Sequence, residues 1–140
     1  MKRGTMAHRH IIYMMLADAA AQARDATILP RYASMLEELA DRDRHQPYLG
    51  VAHRAWGVGH RLNGAYADAQ ERLKQALAIF DQCDATWQMG RTLFEMAELA
   101  LAQSDEAGAH QHYSRALAAF EAMKAAPDIE RTRLAMNALV

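Results

Sequence analysis

Slid forty places along itself without gaps, the sequence meets its own pattern. Leu49–Phe80 falls over Met89–Phe120 with identities at Gly50/Gly90, Ala67/Ala107, Ala69/Ala109, Ala76/Ala116, Leu77/Leu117, Ala78/Ala118 and Phe80/Phe120. Apolar residues also coincide at Trp56/Met96, Leu62/Ala102 and Leu73/Tyr113, which are helix-face spacings. A fixed period of this length belongs to chains built from stacked units, none of which buries its apolar face alone. Towards the C-terminus Arg131-Thr132 falls under Arg91-Thr92 and Leu134 under Phe94. Backwards the match is weaker and asks for one extra residue: a shift of forty-one sets Ile28, Tyr32, Met35 and Leu39 beneath Ala69, Leu73, Ala76 and Phe80.

The repeating unit reads as helical. Among 140 residues only seven are glycine and three proline, mostly at segment edges, and strong helix formers fill nearly everything else. Caps and breakers predict helices over Met6–Arg24, Thr27–Arg42, Pro47–Leu62, Tyr66–Gln82, Thr86–Ala102, Glu106–Met123 and Asp128–Ala138. Pro30 and Pro47 suit first turns, Thr86 an N-cap, and Asn63-Gly64 a helix stop with a residue free to take positive φ; Asp84-Ala85 and Ala126-Pro127 read as breaks. Loops of two to four residues make successive helices antiparallel. Ala69, Ala76, Ala109 and Ala116 form a small set where helices approach, and Leu73, Phe80, Tyr113 and Phe120 a large set interleaved on the same stripe.

GAYADAQERLKQALAIF, residues 64–80, is similar to the second half of a tetratricopeptide repeat, and Ala55-Trp56-Gly57 falls where that family has its Leu-Gly pair. At the positions of the family pattern W-x2-L-G-x2-Y, then A-x3-F, then P, this sequence has His53, Trp56-Gly57, His60, Ala69 and Leu73. His53, His60 and the missing final proline depart from it, as does a period of forty in place of thirty-four. Long-period versions resemble the sensor and regulatory arms of large bacterial signalling ATPases and transcription regulators; HEAT-type pairing is the competing architecture. The resemblance implies an all-α, right-handed superhelix of antiparallel hairpins, an α-solenoid of about seven helices. One such domain spans 1–140: a degenerate repeat over 6–45, repeats over 47–83 and 86–123, and half a repeat over 127–140.

Candidate chemistry is sparse. His53 and His60 share a helix face, but their spacing covers two turns and no carboxylate is supplied beside them, so they read as core positions and not as metal ligands. His8-x-His10 and His110-x-His112 put successive rings on different sides of a helix, which suits solvent. Gly57-x-Gly59 with Gly64 lacks the strand a dinucleotide loop requires. Cys83, the single cysteine, has no base nearby in sequence. Glu37, Glu38 and Asp68 lie within helical reach of Arg42 and Arg72, so solvated ion pairs account for them. The reading is a non-enzyme with no cofactor and no metal.

Sixteen basic against seventeen acidic side chains leave a net charge of −1, which draws the chain neither to nucleic acid nor to an anionic membrane. A basic start before IIYMML has the look of a leader, but Asp18 interrupts the run and the repeat needs this helix, so it is read as structure. A lone cysteine suits a cytoplasmic location. Function then rests on binding. The resemblance implies a groove lined by the first helix of each hairpin, which carried over residue by residue gives His10 and Tyr13; Val51, Arg54, Val58 and Arg61; Arg91, Phe94, Glu98 and Leu101; and Arg131 and Leu134. Arginines among apolar groups suit a protein or peptide offering carboxylates beside apolar anchors. Both ends, IIYMML and LAMNALV, read as apolar where a stack needs polar caps, which suggests a homodimer through the end helices or a place in something longer. The alternative function is a regulatory or sensor segment of a larger signalling protein that binds a small effector or a neighbouring domain.

Overall fold

The structure, a computed structural model, describes residues 2–139, with side chains described from residue 11 onward. Its described residues form seven α-helices and no strand: α1 (Lys2–Gln22), α2 (Leu29–Arg42), α3 (Gln46–Leu62), α4 (Tyr66–Gln82), α5 (Thr86–Ala102), α6 (Glu106–Ala122) and α7 (Ala126–Asn137). The bounds of α4 and α5 agree residue for residue with the sequence reading. Pro30 and Pro47 lie in first turns. Two details differ. Ala85, not Thr86, is the N-cap of α5, with no side-chain cap bond, and Ala126-Pro127 opens α7.

The helices are cut to length by one device used six times. Arg24, Arg44, Gly64, Asp84, Ser104 and Lys124, each twenty residues beyond the last, have positive φ, from 54° to 78°. At every one the chain closes the helix C-terminus with the same two bonds. At the third loop Gly64 N donates to Arg61 O and Ala65 N to His60 O; at the fifth Ser104 N donates to Leu101 O and Asp105 N to Ala100 O. This is the Schellman closure, which satisfies carbonyls the helix leaves unpaired. Only Gly64 takes the left-handed conformation without steric cost; the other five residues hold it at roughly 1 kcal/mol each. Except after Arg24, where Ile28 is the N-cap of α2, the next residue directly precedes the following helix. His45 Nδ1 accepts from Tyr48 N, Asp105 accepts from Gly108 N, and Asp25 accepts from Thr27 and Ile28 N.

This spacing corrects the alignment of the first segment. The loops place it forty residues before the next repeat, not forty-one, and burial agrees. Leu29, Ala33, Leu36 and Ala40 of α2 stand in the register of Ala69, Leu73, Ala76 and Phe80 of α4 and of Ala109, Tyr113, Ala116 and Phe120 of α6, and all twelve are at most 1% exposed. The sizes are exchanged: where α4 and α6 carry alanine, α2 carries leucine, and the reverse. At the other end the expected register holds. Thr92 and Thr132 are both fully buried, and each hydroxyl donates to a carbonyl one turn back, of Gln88 and Asp128.

The chain divides into two compact units, Met1–Ile79 and Phe80–Val140. In the first, α1 packs on α2, α2 on α3, and α1 also on α3. Gly57 lets α4 come close, since a Cβ there would stand 2.7 Å from Leu73; one at Gly59 would stand 3.4 Å from Leu29. In the second, α5 packs on α6 and α6 on α7, and Trp87 of α5 reaches Asp128 of α7 through an indole N–H bond of 2.9 Å. Gly90 admits the ring of Phe120, which a Cβ would meet at 2.7 Å. In both units a helix meets the next and the next but one, the arrangement that stacked hairpins require.

Candidate functional site

The first helix of each hairpin was expected to line a groove, and the structure places its residues unevenly. Val51, Arg54, Val58, Arg91 and Phe94 are at most 4% exposed. Tyr13, Arg61, Glu98, Leu101 and Arg131 are half-buried, and Leu134 is 64% exposed. His10 lies outside the residues whose side chains are described.

Three of the arginines that suggested an acidic partner are engaged within the chain. Arg54 of α3 reaches Asp18 of α1 at 3.4 Å, with its side chain 3% exposed. A guanidinium so closed from water needs such an anion, since a buried charge without one is costly. Arg91 lies over the Trp87 ring, 5.4 Å from its centroid, and Arg131 lies over Phe94 at 4.5 Å with Asp128 at 3.6 Å. Phe94 meets Tyr113 edge to face at 5.2 Å. The second unit thus ties α5, α6 and α7 through stacked cations and rings.

Two of the groove residues, Glu98 and Leu101, border a cleft of about 430 Å³ within the second unit. Glu98 and Leu101 of α5 line it with Glu106 and Tyr113 of α6, Ala135 of α7, and Ala138 and Leu139 just beyond α7. Its lining is mostly apolar and includes two carboxylates, those of Glu98 and Glu106. No family model, no curated protein and no solved structure matches this chain.

The two ends differ from each other. On α1, Ile11, Ile12, Met15 and Leu16 are 36% to 61% exposed along one stripe. On α7, by contrast, Glu130, Arg133 and Asn137 occupy the places of Gly90, Leu93 and Ala97 in α5, and with Ile129 and Leu134 they line an open hollow of about 710 Å³. The apolar end expected at the C-terminus is amphipathic.

One cluster went unread in the sequence. Glu37 reads in the sequence as one of three carboxylates in solvated pairs within a helix, yet it accepts from Arg72 of another helix, α4, while Arg42 reaches Asp43 at 3.3 Å. The same Nη1 of Arg72 stands 2.9 Å from His53 Nδ1 of α3. Arg72 also lies over the Trp56 ring at 5.5 Å, and His60 stacks on the same tryptophan at 5.7 Å between centroids. Burial, then Arg72, lowers the His53 pKa below its ordinary 6.5, opposed by Glu37. His112 is lowered likewise by burial and then Arg115, opposed by Asp105, and its Nδ1 is buried without a hydrogen-bond partner. Only contacts thirty-five and nineteen residues apart could have shown the cluster, and helical periodicity carries no such signal. Among the described residues no three histidines, cysteines or carboxylates come together as metal ligands, and no helix is long and apolar enough to cross a membrane.

Proposed function

We propose that this chain is a non-enzymatic interaction module of tetratricopeptide type, which holds a protein segment against the first-helix face of its second unit. The observation that carries the reading is the cleft formed by Glu98, Leu101, Ala135, Ala138 and Leu139, where groove positions stay accessible beside a mostly apolar floor. A segment with an apolar anchor fits its floor. The forty-residue register and the contacts of α1 with both α2 and α3 support the tetratricopeptide reading.

Capture from the native extract tests it, comparing the chain with a form in which Ala138→Trp fills the cleft. A partner held by the first and lost by the second, with helical circular dichroism unchanged, is the expected result. An identical set of captured proteins overturns the assignment. The uncovered stripe of Ile11, Ile12, Met15 and Leu16 favours a second reading, in which α1 packs on a neighbouring domain or chain within a regulatory assembly.

A further inference from the structure

Arg72 belongs to α4, His53 to α3 and Glu37 to α2, so the three side chains fasten three helices of the first unit at one point. A guanidinium only donates. The nitrogen 2.9 Å from it, His53 Nδ1, must therefore accept, which fixes the ring as neutral with its proton on Nε2. Glu37 Oε2 lies 3.8 Å from that same Nδ1 while accepting from Arg72. The carboxylate is thus within reach of either cation, but the neutral ring leaves it to Arg72. The charged groups acting on His53 are Glu37 from α2 and Arg72 from α4; on α3 itself Arg54 follows it in the chain and is engaged with Asp18 of α1, and His60 lies two turns on, stacked on Trp56.

We propose that His53 is the proton-operated release of a latch made by Glu37 and Arg72. A proton added at Nδ1 replaces the acceptor with a donor and sets a second positive charge against the guanidinium. Glu37 then turns from Arg72 to the imidazolium, and Arg72 leaves the cluster, freeing α4 from its polar tie to α2 and α3 while Leu73 still packs on Gly57. The folded pKa of His53 is lowered, so the latch is closed above 6.5, the value in an unfolded chain, and is lost as the pH falls below it through the folded value.

The test is a nitrogen-15 NMR titration of the whole chain from about pH 8 to about pH 5, following the Arg72 side-chain N–H and the Trp56 indole N–H. In the unchanged protein both signals move together with a midpoint below 6.5. His53→Asn, whose Oδ1 keeps an acceptor where Nδ1 stands but takes no proton, holds both at their neutral positions throughout. His60→Asn leaves the transition in place. The same titration in His53→Asn, or none in the unchanged protein, overturns the latch. The His53 ring itself gives an independent reading that needs no variant: at about pH 8 its Nδ1 resonates as an unprotonated nitrogen, and a protonated Nδ1 there also overturns it.

Discussion

The α2 and α6 helices fill the same four buried positions with opposite choices. In α6 the bulk stands at Tyr113 and Phe120, alternating with Ala109 and Ala116; in α2 it stands at Leu29 and Leu36, alternating with Ala33 and Ala40. The facing helices differ to match. Gly90 of α5 is open to the Phe120 ring, whereas Gly59 of α3 lies at ordinary contact distance from Leu29. A close-packed core requires complementary volumes, and a large residue can be supplied from either side of the seam. The register of the stack is fixed by the backbone; the volume is negotiated between neighbours.

The comparison is broken most severely by removing the bulk where each hairpin keeps it. Phe120→Ala should cost about 3–5 kcal/mol and Leu36→Ala about 2–5 kcal/mol, both read from denaturant unfolding. If Leu36→Ala proved near neutral, the exchanged-size packing of α2 would be wrong. A smaller effect separates the two glycines. Gly90→Ala meets the Phe120 ring and should lose about 1–3 kcal/mol to overpacking, while Gly59→Ala, with room for its methyl, should be neutral or gain up to about 1 kcal/mol from helix propensity. Equal losses at both sites would show that the seams are alike after all. Smallest are the loops. Ser104→Gly and Lys124→Gly, at positive φ of 60° and 54°, should each stabilise by about 0.5–1 kcal/mol and add when combined. A loss at either would mean that the left-handed residue carries contacts beyond its backbone.

Helix bounds were legible because they rest on local chemistry: Pro47 near a start and Asn63-Gly64 at an end suffice for α3. The register of the first segment was not, because matching size with size pulled Tyr32 under Leu73 when Ala33 is its true counterpart. Similarity in volume misleads where complementarity is what packing selects. The groove positions were identified by family place alone, and what decides their exposure lies elsewhere in the chain. Nothing near Arg54 in sequence announces Asp18, and nothing near Phe94 announces Arg131 lying across its ring. His53 was read as a core position and is half-buried, but its meaning comes from Arg72 and Glu37, brought by two other helices.

The six identical loop closures give the chain a grammar of interchangeable joints. A cut after Gly64 and a rejoining after Ser104 removes a span of forty residues, 65–104, and leaves one left-handed residue at the seam, followed by a helix of the kind that stood there before. Gain or loss of an α-hairpin therefore needs no new turn to be invented. A chain with such joints can change its number of repeats far more readily than it can change any one of them.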